Sequence, residues 1–177
     1  MMDVEQLRYP VGRFKRQTTP RSRAAIDTSL DTIEQTPAHF RALVLGRTAG
    51  QLDTRYRPEG WTVRQVVHHV PDSHMNAYIR MKCAATENAP AIKTYDEAKW
   101  AELPEAKTGP VETSLALLDA LHRRWVMFLR ALTDADFAKT YVHPELGNVP
   151  LDEALALYAW HCRHHTAHIE QGLGLRA

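Results

Sequence analysis

Four stretches of the chain repeat apolar residues at helical spacing, and the segments between them do not. In residues 21–45 the apolar positions Ala25, Ile26, Leu30, Ile33, Phe40, Leu43 and Val44 share one face, the three-and-four spacing of an amphipathic helix. Pro37 lies within it and removes one intrahelical hydrogen bond, so one kinked helix ending near Gly46 is predicted. Residues 51–60, with Pro58 and Gly60, read as a loop. Thr62-Val63-Arg64-Gln65 then has the form of a capping box, and the stripe Val63, Val66, Val67, Val70, Ala77, Tyr78 and Met81 carries a second helix to about Thr86. A third runs from Val111 to about Leu132 through Leu115, Leu118, Leu121, Trp125, Phe128 and Leu129, followed by a short helical turn over 134–138. The fourth, with Pro150 in its first turn, carries Leu151, Ala154, Leu155, Tyr158, Cys162 and Ile169 on one face.

No alternating strand pattern competes, and residues 143–148 read as a turn-rich loop. Residues 88–110 hold three prolines and no helical period. A connection of that length inside a compact domain is often functional. The prediction is an all-α chain: a four-helix bundle with its long crossover between the second and third helices. Residues 1–19 lack periodicity and read as an extended arm, with Tyr9 and Phe14 as its anchors.

Composition narrows the function classes. A length of 177 residues suits a single domain over 1–177 with its own core. Lys and Arg number 22 against 21 acidic residues, a net charge of +1 that gives no electrostatic footprint for nucleic acid. No apolar run reaches membrane-spanning length, and the N-terminus lacks a signal-peptide core, so a soluble cytoplasmic protein is expected. Cys83 and Cys162 form no CxxC pair and read as small core hydrophobes. A metal here would be held by histidine, with or without a carboxylate.

Histidine is where the chemistry concentrates. Of the ten histidines, His161, His164, His165 and His168 fall within eight residues of the fourth helix. Positions four apart stack on one side of a helix, which gives the pairs His161/His165 and His164/His168. The first pair flanks the apolar centre and is the better placed to face inward as a bidentate nitrogen site for a metal such as zinc. On the second helix His74 falls inside the apolar stripe, His69 at its flank and His68 on the polar side. Periodicity alone favours His74 as the inward residue, although Pro71 makes the wheel less reliable across it.

The run from Gly60-Trp61-Thr62 through Val67-His68-His69-Val70-Pro71-Asp72 to Tyr78-Ile79-Arg80, with the block from Tyr158-Ala159-Trp160-His161 to His168-Ile169, resembles the YfiT-like branch of the DinB superfamily. The likeness extends to Arg8-Tyr9-Pro10-Val11-Gly12, Gln51-Leu52-Asp53-Thr54 and Ser114-Leu115-Ala116-Leu117-Leu118, and so covers nearly the whole chain. The resemblance implies a four-helix bundle, usually a homodimer, with a divalent metal, zinc or nickel, held by three histidines. Matched residue by residue, those are His69, His161 and His165. The chain departs from the pattern at Pro71, beside the first ligand. It departs again at Thr166-Ala167-His168, where many relatives carry Arg-Gly-Gln.

Three protein nitrogens leave a fourth metal position open, the arrangement of catalytic rather than structural zinc. Such a metal can bring bound water to a pKa of about 7, or can deprotonate a thiol. The resemblance therefore implies a metal-dependent hydrolase of a small-molecule substrate. The runner-up is a transferase that adds a low-molecular-weight thiol such as bacillithiol to an electrophile, and a non-catalytic helical module stapled by a structural metal stands third. Asp72, three residues after His69, either orients a ligand imidazole or stands as a solvated helix carboxylate, and His168 is a polar group near the metal, as a ligand or proton carrier, or else behind the ligands or at the surface. Glu153 and Glu170 fall on the expected exposed face.

Overall fold

The computed structural model describes residues 3–17 and 19–176; Met1, Met2, Thr18 and Ala177 lie outside it. Four long helices form the frame: α2 (Arg23–Val44), α4 (Val63–Thr86), α7 (Val111–Arg130) and α9 (Leu151–Gly172). The capping box at α4 forms as its sequence predicts, the Gln65 amide donating to Thr62 Oγ1 at 3.1 Å and the Thr62 amide to Gln65 Oε1 at 2.9 Å. Both internal prolines are accommodated, and α2 and α4 each run unbroken through Pro37 and Pro71.

Each long helix packs on two neighbours, α2 and α4 both lying against α7 and α9, so the consecutive helices α2 and α4 sit diagonally. Contacts fix the directions. His68 meets Ser114, His74 meets His122 and Met81 meets Trp125, so α4 and α7 run parallel. Gly172 lies beside Val63 while His161 lies beside His74, so α9 runs antiparallel to α4. Joining two parallel neighbours requires the chain to return along α4, whose 24 residues span roughly 36 Å. The long crossover supplies that return.

Several local readings are corrected. The crossover is not structureless: it holds α5 (Glu97–Ala101) and α6 (Pro104–Thr108), each too short to display an amphipathic period. The arm contains the single turn α1 (Val4–Arg8), started by an Asp3/Gln6 capping box, and α3 (Ala49–Leu52) reaches into the expected loop. A hairpin of β1 (Thr140–His143) and β2 (Gly147–Pro150) stands where no strand was expected. Its alternation covers one buried pair, Tyr141 opposite Val149, which is too little to register as a period. Pro150 ends β2 and caps α9 rather than entering its first turn. The short turn α8 (Asp134–Phe137) and the anchoring of the arm follow expectation; Phe14 packs on Trp160, whose Nε1 donates to the Gly12 carbonyl at 3.0 Å.

The apolar interior is in two parts. One cluster gathers Ile26, Leu30, Ile33, Met81, Trp125, Leu129 and Leu155; the other gathers Phe40, Val44, Val66, Val70, Leu115, Leu118 and Ile169. On every long helix buried polar or imidazole side chains stand near the place where one cluster gives way to the other: Thr36 on α2, Ser73 and His74 on α4, His122 on α7, His161 and His165 on α9. A buried polar layer thus crosses the bundle at mid-height. Such a layer is costly unless its members bond one another.

Candidate metal centre

Three imidazoles converge at the edge of that layer, two from it and one, His69, a turn before it on α4. One ring nitrogen each of His69, His161 and His165 lies within 4.8 Å of the other two, and among the described residues no other group of three or more potential metal-ligating side chains is so arranged. His69 Nε2 stands 3.3 Å from His161 Nε2. That separation is about the edge of a tetrahedron whose centre lies 2.0–2.1 Å from each vertex, the zinc–nitrogen distance. The third imidazole, His165, packs edge-on against both, with ring centroids 4.9 Å from His69 and 4.3 Å from His161.

Helix geometry explains the convergence. His161 and His165 are one turn apart on α9, and antiparallel α4 brings His69 across from them. The Trp61 ring, just before α4, covers His69 at 4.7 Å and lies nearly parallel to His165 at 6.5 Å. Burial pushes the pKa of His69 down to about 4, with the neighbouring His164 adding to the effect. Burial first, and then the surrounding imidazoles, hold His161 and His165 well below the usual histidine range. At neutral pH these rings are uncharged, the state a metal ligand must have. Neutral nitrogen donors at this spacing fit a divalent metal.

The centre is not sealed. It opens into a pocket of about 650 Å³ whose wall carries Arg8, Arg57, Arg80, Tyr95 and Tyr158. Among the described residues none of these three arginines forms a salt bridge, and Arg57 Nε is buried without a partner. Glu59, Glu97 and Glu145 line the same space.

The other residues singled out in the sequence fall as follows. His74 is fully buried, as its place in the stripe predicts, but its nitrogens meet His161 and His122 rather than completing the triad. His68 ties α4 to the first turns of α7 through Ser114 Oγ at 2.7 Å and to the end of the crossover through the Gly109 carbonyl at 3.2 Å. Asp72 forms no hydrogen bond with any of the three imidazoles; burial, then the nearby Glu105, raise its pKa to about 6. Asp72 lies on a more exposed side of α4 than His69, and it is His74 that bonds one of the three rings, His161. His168 does lie beside the triad, its Nδ1 3.4 Å from His165 Nδ1. Glu153 is corrected from exposed to buried, paired with Arg16 at 2.5 Å, whereas Glu170 is half-buried beside Arg176. His122 escaped the sequence reading altogether. Its signal was available, for it occupies the stripe of α7 between Leu118 and Trp125.

Comparison with known proteins agrees with this geometry. The sequence pattern of the DinB superfamily matches residues 32–169. A protein of Bacillus cereus (strain B4264) named "Putative metal-dependent hydrolase" is 53% identical over 166 residues, covering 94% of this chain and 95% of its own. One of Bacillus mycoides (strain KBAB4) bears the same description at 53% identity over the same shares. Among solved structures, YfiT from Bacillus subtilis, described as a probable metal-dependent hydrolase with an unusual four-helix bundle topology, superposes with a TM-score of 0.91. It is 47% identical, over 94% of this chain and 95% of YfiT. The four-helix bundle protein TT2238, at 22% identity and a TM-score of 0.54 over 80% of this chain, shares the fold. The diagonal placement of consecutive helices, the histidine layer and these matches together place the chain in the DinB superfamily.

Proposed function

We propose that this protein is a metal-dependent hydrolase of a small molecule, with one divalent ion, zinc or nickel, held by His69, His161 and His165. The observation that carries the reading is that three neutral imidazoles meet at the floor of an open pocket rather than inside a sealed core. A structural staple has no need of that opening. When bound, the metal supplies Lewis acidity at the position the protein leaves free, enough to ionise water near neutral pH.

The chain's own residues supply binding and orientation. The Trp61 indole screens one side of the triad from solvent, and the arginines along the wall suit a substrate bearing a carboxylate or another anionic group. Burial raises the Tyr95 hydroxyl above its ordinary range and does the same for Tyr158, so both stay protonated and can donate hydrogen bonds into the pocket. The family resemblance also supports a homodimer, which sedimentation would register as twice the chain mass.

Metal analysis and an activity screen on one preparation test the reading. One equivalent of metal per chain is expected, falling sharply in His69→Ala and His165→Ala while helical circular dichroism persists. Ester or amide probes should turn over with a rate that rises with pH. Full metal retention in both variants would rule the ligand set out. Consumption of a chloro-bimane only in the presence of a low-molecular-weight thiol would transfer the site to the thiol-transferase reading. Turnover of neither probe set by metal-loaded protein would leave a structural metal.

A further inference from the structure

Two chains of imidazoles lead away from the triad, and each ends on a backbone carbonyl. In the first, His161 Nδ1 lies 2.9 Å from His74 Nε2, His74 Nδ1 lies 2.7 Å from His122 Nε2, and His122 Nδ1 lies 2.6 Å from the Ile33 carbonyl oxygen. In the second, His165 Nδ1 lies 3.4 Å from His168 Nδ1, and His168 Nε2 lies 3.2 Å from the Arg8 carbonyl oxygen. The His74 and His122 planes differ by 7° with centroids 4.9 Å apart. Combined with the short N···N distance, this means the rings meet edge to edge in one plane, as a hydrogen bond requires, and not face to face.

A carbonyl can only accept, and that fixes every proton along both chains. His122 must carry its proton on Nδ1 to donate to Ile33, so its Nε2 accepts from His74 Nδ1. His74 Nε2 therefore accepts from His161 Nδ1, leaving His161 Nε2 with a bare lone pair toward His69. Likewise His168 donates from Nε2 to Arg8, accepts at Nδ1, and leaves His165 with its proton on Nδ1 and its lone pair on Nε2. Burial disfavours a charged ring anywhere along such a chain, and it pushes His122, which touches none of the three rings of the triad, down to about 4. Both carbonyls are free for local reasons. Pro37 has no amide to offer Ile33, four residues earlier, and Arg8 ends the single-turn helix α1.

The geometry points to His74, His122 and His168 as positioning residues: two carbonyl-terminated imidazole chains that hold His161 and His165 in the Nδ1–H tautomer and so present Nε2 of each to the metal. This rests on reading the triad as a metal centre. It also gives the site a property that carboxylate-backed histidines lack. No negative charge stands behind His161 or His165, so the ion's full charge remains to act on what it binds.

Long-range proton–nitrogen correlation spectra of 15N-histidine-labelled protein, metal-free and then zinc-loaded, read the tautomers directly. Expected are Nδ1–H forms for His161, His165, His74 and His122 and an Nε2–H form for His168, already present before zinc is added. His74→Leu should release His161 from that tautomer and weaken zinc binding by about ten- to a hundredfold. His74→Gln, whose amide can accept from one side and donate to the other, should recover most of it. His168→Leu should act on His165 in the same way but less, its bonds being longer. An Nε2–H form at His161 or His165 in the wild type would overturn the inference whether or not any variant folds. So would folded Leu variants with unchanged tautomers and zinc affinity. The expected tautomers in protein that binds no zinc would uphold the two chains and overturn the metal-centre reading instead.

Discussion

Burial makes the imidazoles of this protein pH-sensitive elements of its stability. His122 is 1% exposed, and desolvation lowers its pKa from 6.5 to about 4 against the opposing pull of its bond to Ile33. Unfolding returns the ring to water and to its ordinary affinity for protons. Between about pH 6.5 and 4 the unfolded chain therefore binds more protons than the folded one, so this contribution is complete above pH 6.5 and is lost as pH falls. The loss reaches about 3 kcal/mol per ring of this kind at the acid end. His69, His164 and His168 shift in the same direction. Asp72, raised to about 6, runs the other way, gaining stability as pH falls, and offsets part of it. Urea titrations of metal-free protein at pH 7, 5.5 and 4.5 should give steadily lower midpoints, and a flat profile would contradict this account. The thiols differ for the same reason: Cys162 is fully buried with its pKa pushed up to about 12, while Cys83 is partly exposed. A disulfide reagent should label one thiol of the native protein quickly and the second only on unfolding.

Among the helices, the approach that the site depends on is that of α9 to α4. A Cβ placed on Gly172 would sit 2.5 Å from Val63 Cγ2, and Val63 is itself fully buried at the start of α4. The absent side chain at 172 lets the C-terminal turn of α9 lie against the capping box of α4, which sets the register that brings His69 opposite His161 and His165. Gly172→Ala should destabilise the fold by about 1–3 kcal/mol through overpacking. Adding Val63→Ala should restore part of the loss, since it removes the clashing methyl. Chemical denaturation of the two variants measures both effects; additive losses would mean that the contact does not limit the packing. At the other edge of α4, Arg64 donates to the Gly109 carbonyl at 3.0 Å and Gln65 to the Ala101 carbonyl at 2.7 Å. The crossover is thereby tied to the N-terminal half of the helix that carries His69.

For the whole molecule, the division of the interior into two apolar clusters decides what metal does for the fold. Each cluster contains large side chains that are fully buried, Trp125 and Leu30 in one, Phe40 and Leu118 in the other. Burial of a side chain of this size contributes about 1.5–3 kcal/mol. The protein should therefore fold without metal. Zinc at about a hundred times its dissociation constant should then raise the melting temperature, by an amount equivalent to about 2.7 kcal/mol. Calorimetry with and without zinc checks this. A chain that is unfolded until zinc is added would make the metal a staple. No helix among the described residues is long and apolar enough to cross a membrane.

The sequence by itself determined the four long helices, because each bears an apolar stripe long enough to show its period. It determined the crossover too, since residues 88–110 are too long and too aperiodic for a tight connection between neighbours; that the helices it joins lie parallel came only from their packing. The histidines of α9 were legible as an inward pair from spacing alone. His69 was not; on the wheel it lay at the flank, and only the family resemblance selected it over His74. Tertiary structure decided the rest. The face a residue presents is a property of one helix, whereas a cluster of ring nitrogens, or a chain of hydrogen bonds from His161 through His74 to His122, is a property of several helices at once. The hairpin and the short helices of the crossover were invisible because four or five residues hold too few repeats to reveal a period, and neighbours rather than local pattern stabilise them. Pro37 joins the two levels: its missing amide is plain in the sequence, but only the packed bundle brings His122 to the carbonyl it leaves free.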